Sequence, residues 1–315
     1  MTPRRVAIFG ASGFIGRYVV RDLAREGAVI AACGRHASSA GFLRPMGDVG
    51  QIAPLSANLS DARALAAVVA GADVVVNLVG ILYERGKQRF DLAHRRGPGQ
   101  LAELAQSAGV KRFVHVSALA ADAHSRSAYA RSKADGEAAV RAAFPGAIIL
   151  RPSLVFGPED NFFNRFAALA RVSPVLPLIG GGATKFQPVY VGDVAAAVSA
   201  ALLRDDTEGK TYALAGPAIF TMRQLFELML HVIGRKRLLM SMPFGLASLQ
   251  AFFLEWLPRP LLTRDQVRLL RHDTIAPPGA LGLAELGITP TALELILPTY
   301  LDRFRRAGRL KPSPI

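Results

Sequence analysis

The sequence predicts an α/β fold, a doubly wound parallel sheet with a smaller, mostly helical C-terminal cap. Two observations carry this. Short apolar runs bounded by turn residues alternate with segments of helical periodicity through the first two thirds of the chain, and the glycine-spaced octapeptide GASGFIGR stands at residues 10–17, between the first run and the first helix.

Taken in order, residues 6–9 form a short apolar strand closed by Gly10, and residues 14–25 place Ile15, Val19, Val20 and Leu23 at helical spacing. Residues 29–33 repeat the strand signal. Residues 61–70 read as a helix capped by Ser60, and residues 73–79 as a buried strand. The alternation continues with a helix at 98–108, a strand at 112–117, a helix at 128–143 and a strand at 147–151. After Pro152 the pattern loosens: helix 162–170, strand 189–191, helix 193–203, strand 211–214, then helices near 221–233, 243–257, 264–271 and 291–306, separated by prolines. Residues 1–215 are therefore expected to form one domain with a cap excursion at 156–188, and 216–315 a helical region.

Half of the 315 residues are apolar, enough for a sizeable core. The formal charge of +14 favours anionic partners, and the last 100 residues are the more basic part, with 13 Lys and Arg against 7 acids. The basic residues are scattered and do not interleave with aromatics, so nucleic acid is not expected as a partner. One cysteine, Cys33, excludes an intrachain disulfide and fits a reducing compartment; it is given no role. No secretory signal precedes the first strand, so the expectation is cytoplasmic. No metal ligands are assigned.

Between a strand and a helix, the three glycines acquire separate tasks. Gly10 permits a sharp turn, Gly13 lets backbone approach a pyrophosphate, and Gly16 lets the helix pack on the sheet. The helix N-terminus at Ser12, Phe14 and Ile15 offers amides to the phosphates. This is the fingerprint of a Rossmann dinucleotide site. At the end of the second strand the chain reads CGRH, with no acid to accept ribose hydroxyls, while Arg35 supplies a planar fork suited to an extra phosphate and Arg17 can join it. NADP(H) is preferred, with NAD(H) open.

A second constellation follows. Ser117 ends a strand, and Tyr129 and Lys133 stand one helical turn apart, so that an ammonium is expected to lower the phenol's pKa and make a usable acid or base.

Together these residues resemble the short-chain dehydrogenase/reductase superfamily in its extended or atypical branch, across roughly the first two thirds of the chain. The resemblance implies that Tyr129 is the proton donor or acceptor, that Lys133 also binds the nicotinamide ribose, and that Ser117 positions the reacting oxygen. It implies further nucleotide contacts at Asn58, Leu59, Val79, Gly80, Pro152 and Val155. Asn58 stands where relatives often carry an aspartate beside the adenine. The stretches NLVG at 77–80, VFGPEDNFFN at 155–164 and FQPVYVGD at 186–193 also look like the NAD(P)H-binding accessory subunit family of respiratory complex I and its bacterial relatives. That likeness implies a structurally held nucleotide, respiratory complex I subunits as partners and a link to ubiquinone. The alternative is an active NAD(P)-dependent oxidoreductase or sugar-nucleotide epimerase/dehydratase using Tyr129 and Lys133.

Residues 238–254 run for seventeen positions without a charge. A spanning helix needs about twenty apolar residues, and Pro243, Gly245, Ser248 and Gln250 interrupt this one, so a span is rejected. The helix at 243–257 carries Phe244, Phe252, Phe253 and Trp256, with Arg259, Arg264, Arg268 and Arg271 after it. It suits either the cap core or an anionic membrane surface, a peripheral position on the inner face of the cytoplasmic membrane.

Overall fold

In the computed structural model, which describes residues 4–258 and 260–305, the chain divides into two compact units. The first holds the residues up to Pro152 together with Gly192–Leu214 and Gly279–Ile288; the second holds Ser153–Val191, Ala215–Pro278 and the residues from Thr289 onward.

The first unit runs β1 (Arg5–Phe9), α1 (Phe14–Arg25), β2 (Val29–Gly34), β3 (Ile52–Ser56), α2 (Ala62–Val69), β4 (Val74–Asn77), a π-helical turn (Asp91–Arg96), α3 (Gly97–Ser107), β5 (Arg112–Val116), α4 (Ala128–Ala143) and β6 (Ile148–Pro152). The second contributes β7 (Val155–Phe156), α5 (Phe163–Val172), β8 (Val175–Ile179), β9 (Lys185–Phe186) and β10 (Val189–Tyr190). The chain re-enters the first through α6 (Val191–Leu203) and β11 (Thr211–Leu214). The second then resumes with β12 (Phe220–Thr221), α7 (Met222–Val232), β13 (Leu238–Met242), α8 (Phe244–Leu254), α9 (Arg264–Leu269) and α10 (Leu293–Leu301).

The first unit is built on a seven-stranded sheet of order β11-β6-β5-β4-β1-β2-β3, with every pairing parallel. The order reverses between β1 and β4, which makes the crevice at the carboxyl ends of those strands a topological switch point. Register aligns the ends: Phe9 pairs with both Cys33 and Asn77, and Asn77 with His115. The strands are apolar on both faces because helices cover both, and Phe9, Leu65, Val75, Leu101, Phe113 and Ile149 share one buried cluster. The second unit is mostly helical, with three two-stranded sheets, and packs around Phe156, Phe163, Leu176, Phe226, Met229 and Leu297.

Several local expectations change. The N-cap of α2 is Asp61, whose carboxylate accepts from the Ala64 N–H at 3.1 Å, and not Ser60. Strands β3 and β13, the 3-10 segment Ala37–Met46 and the π-helical turn add elements that periodicity did not signal. The helix expected at 243–257 is α8, Phe244–Leu254, and that expected at 291–306 is α10 followed by a 3-10 turn, Asp302–Phe304. Arg259 and Arg306 lie outside the described residues. Among the described residues, no helix is long and apolar enough to cross a membrane.

Candidate functional site

The loop after β1 is shaped by its glycines. Gly10 has φ +84°, and its amide donates to the Cys33 carbonyl at 3.0 Å. A Cβ at Gly10 would sit 3.1 Å from the Leu78 backbone, and one at Gly16 would lie 2.5 Å from the Ala11 carbonyl oxygen. Helix and loop can meet only because both side chains are absent. Gly13 is the N-cap of α1, which has no side-chain cap and no acid in its first turn, so its first amides are left for an anion.

Ser12, Phe14 and Ile15 are half-buried on this turn, and the Ser12 hydroxyl lies over the end of β2, 3.6 Å from where a Gly34 side chain would begin. Arg35 is exposed immediately beyond β2. The Arg17 guanidinium stacks 5.0 Å from the ring centre of Phe42, in the 3-10 segment that follows β2. Asn58 is exposed, with its Oδ1 accepting from the Ser60 N–H at 3.3 Å, and Leu59 is buried beside it.

After β4 the chain turns through Val79 and Gly80. Asn77 is buried and holds this turn: its Oδ1 accepts from the Val79 N–H at 3.1 Å, and its Nδ2 donates to His115 Nδ1 at 3.0 Å. His115 is thereby the Nε2–H tautomer, and burial together with Lys133 pushes its pKa well below the usual range. A Cβ on Gly80 would come 3.7 Å from Lys133 Nζ and 3.8 Å from His94 Nε2.

Helix α4 carries Tyr129 and Lys133. Ser127 caps it, accepting from the Ala130 N–H at 3.3 Å. The Lys133 ammonium is buried and donates to the Val116 carbonyl at 3.1 Å; desolvation brings its pKa down to about 8, against the opposing pull of Glu137. Glu137 in turn holds Arg151 of β6 in a two-pronged ion pair. Burial pushes the Tyr129 phenol up to about 12, so the expected lowering of its pKa by the neighbouring ammonium does not appear. Burial disfavours the charged phenolate, and this desolvation is what sets the direction of the shift. The Ser117 hydroxyl, at the end of β5, is buried without a hydrogen-bond partner among the described residues. Pro152 ends β6, and Val155 begins β7 in the second unit.

Sequence reasoning missed His94. It sits in the π-helical turn, 1% exposed, accepts at Nε2 from the Ile81 N–H at 3.0 Å and meets Ser132 Oγ through Nδ1 at 2.8 Å. Its ring packs between Phe90, stacked at 5.3 Å, and Tyr129, edge-on at 5.5 Å. The only sequence signal was a histidine set in a segment that turns inward just before a proline-started helix.

The glycine-walled turn, the open helix start and the unpartnered Ser117 hydroxyl fit a dinucleotide, with Lys133 still having donors to give. Strand order, switch point and glycine turn define a Rossmann α/β protein. Residues 6–215 match the NAD dependent epimerase/dehydratase family, and the chain belongs to it. It is 38% identical to the mitochondrial NADH dehydrogenase (ubiquinone) 1 alpha subcomplex subunit 9 of Arabidopsis thaliana, over 96% of this chain and 78% of that protein. It is 31% identical to the mitochondrial NADH-ubiquinone oxidoreductase 40 kDa subunit of Neurospora crassa, over 95% and 79%. A ceramide reductase of Caulobacter vibrioides is 38% identical over 61% of this chain and 58% of its own. Among solved structures, a nucleoside-diphosphate-sugar epimerase from Staphylococcus aureus superposes with a TM-score of 0.75 at 14% identity, over 93% of this chain and 99% of that one. At that identity the likeness speaks for the fold alone.

Proposed function

We propose that this chain is an accessory or assembly subunit of a respiratory NADH:ubiquinone oxidoreductase, or of related quinone-linked metabolism, holding a nicotinamide dinucleotide as a structural element. The observation that carries the reading is similarity along nearly the whole chain, second unit included, to proteins named as subunits of that enzyme. The Gly10–Gly16 turn holds the pyrophosphate, Asn58 and Leu59 flank the adenine, and Val79, Gly80 and Pro152 line the remainder. Ser117, Tyr129 and Lys133 face the nicotinamide end. Arg35 and Arg17 select NADP(H) over NAD(H), because a guanidinium fork matches the extra phosphate. A bound nucleotide stabilises what it binds; at a hundred times its dissociation constant it adds about 2.7 kcal/mol.

The protein sits peripherally on an anionic membrane surface through α8 and the turn that follows it, where Leu249 and Phe253 on the helix and Trp256 in the turn are 57%, 64% and 82% exposed. Cations accompany this face: Arg264 stacks on Phe252 and Arg271 on Phe244. Apolar insertion with cationic flanks is the composition of an interfacial helix.

Purification from native membranes, with mass analysis of bound nucleotide and partners, tests the reading. Respiratory subunits and a dinucleotide should co-purify; a free monomer without either would overturn it. Arg35→Asp should weaken NADPH far more than NADH, and equal losses would remove Arg35 as selector.

A second reading is favoured by the unpartnered Ser117 beside an intact Tyr129 and Lys133, and by similarity to a protein named a ceramide reductase. Here Tyr129 gives or takes the proton at a substrate oxygen that Ser117 positions, while the dinucleotide supplies or receives hydride. Tyr129→Phe with retained nucleotide should then abolish a cellular phenotype; an unchanged phenotype rejects turnover.

A further inference from the structure

The π-helical turn Asp91–Arg96 is pressed against α4 so closely that the His94 carbonyl oxygen occupies the place a side chain at Gly136 would need. A π-turn inserts one residue into a helix and re-aims the side chains around it. Here it directs the His94 ring between two other segments of the same unit. On one side lies the turn after β4, whose Ile81 N–H donates to His94 Nε2 at 3.0 Å. On the other lies α4, where Ser132 Oγ is 2.8 Å from Nδ1 and donates its own proton to the Tyr129 carbonyl at 2.8 Å.

These bonds leave one consistent assignment. Nε2 accepts from a backbone amide, so the ring proton is on Nδ1; the Ser132 hydroxyl spends its proton on Tyr129 and accepts from Nδ1–H. The chain of donors therefore runs from Ile81 N–H through the imidazole and the hydroxyl to the backbone of the helix that carries Tyr129 and Lys133.

We propose that His94 is a positioning residue: as the Nδ1–H tautomer it ties the Gly80–Ile81 turn to the Tyr129–Lys133 helix, and this tie sets the affinity for the dinucleotide. Three features support it. The turn lies at the carboxyl end of β4, at the switch point of the sheet. The space beside the Gly80 Cα is bounded by both His94 Nε2 and Lys133 Nζ, each within 4 Å of where a Cβ would stand, so a shift of the turn moves the surface next to the ammonium. Burial and the nearby Lys133 ammonium hold the ring neutral, with its pKa down at about 3; a second ring proton would face the Ile81 donor and break the tie.

The inference rests on the dinucleotide reading, and one set of titrations separates the two. NADPH and NADH binding is measured by fluorescence on the full chain and on His94→Ala, His94→Gln and Ser132→Ala, with thermal melts of each and ring ¹⁵N spectra of the parent. His94→Ala should weaken binding about tenfold or more, because the Ile81 N–H loses its acceptor. His94→Gln, whose Oε1 can accept from Ile81, should recover most of it, and Ser132→Ala should fall between. The parent ring should show protonated Nδ1 and unprotonated Nε2. If His94→Ala does not fold, the Gln and Ser132 variants decide alone: no graded loss overturns the proposal. Parent-like affinity in His94→Ala, or a ring protonated at Nε2, also overturns it while leaving the dinucleotide reading intact. A parent that binds neither nucleotide overturns both.

Discussion

Lys133 is a buried ammonium hydrogen-bonded to one carbonyl, and its titration makes folding depend on pH in a defined window. Its folded pKa is about 8 against an ordinary 10.5. Below pH 8 both folded and unfolded chains hold the proton; between 8 and 10.5 the unfolded chain binds more, so this group raises stability as pH rises. Tyr129 acts oppositely above pH 10, because its folded pKa of about 12 keeps a proton that the unfolded chain loses. Lys133→Met should therefore be more stable than the parent near pH 8, with the gap closing toward pH 10. Urea midpoints across that range measure it, and a constant gap would mean the ammonium is not desolvated. Ser117 gives a second residue-scale test. Its buried hydroxyl lacks a partner, and an unsatisfied polar group costs about 1–3 kcal/mol. Ser117→Ala should hold or raise the melting temperature of the nucleotide-free chain while weakening ligand binding, a split that a merely structural serine would not produce.

At the scale of elements, the crossing of α4 over the π-helical turn is the tightest constraint in the first unit. Gly136→Ala forces the two backbones apart and should cost about 3 kcal/mol or more in denaturant unfolding, far beyond an ordinary surface substitution. The legible parts of this unit were those with strong periodicity. Strands β1 and β4 are buried on both faces and announce themselves as apolar runs, and the glycines mark the turn that joins β1 to α1. Strand β3 was silent because it is an edge strand: Pro54 interrupts it, and most of its residues are not buried. Strand β13 is largely uncovered and so lacks alternation. The Asn77–His115 and His94–Ser132 pairs join segments 38 residues apart, and a single polar residue carries no sign of its distant partner. Sequence thus exposed the glycine turn after β1 and the candidate residues Ser117, Tyr129 and Lys133, but not the polar ties that hold the turn after β4.

At the scale of the whole molecule, the proposed membrane contact joins charge to apolar exposure. The formal +14 is densest toward the C-terminus, in the same third of the chain as the exposed face of α8. Trp256 is the only tryptophan of the chain, so its emission reports on that face without labelling. Vesicles containing anionic lipid should shift it to the blue. The shift should weaken as salt is raised, since exposed charges separated by about 10 Å are screened at 0.1 M. Phe253→Ser should reduce it several-fold. Unchanged emission over neutral and anionic vesicles alike would remove the membrane from the proposal.

The lone cysteine, set aside in the sequence, has a practical consequence in the fold. Cys33 is 0% exposed between β1 and β3 on the central sheet, and burial pushes its thiol up to about 12. Such a thiol carries almost no thiolate at neutral pH and presents no surface to a reagent. The native chain is therefore chemically silent toward maleimides and alkylating spin labels. Any cysteine introduced on the surface, at Leu249 or Ile219 for example, would become the one reactive position in the molecule, without first mutating the core.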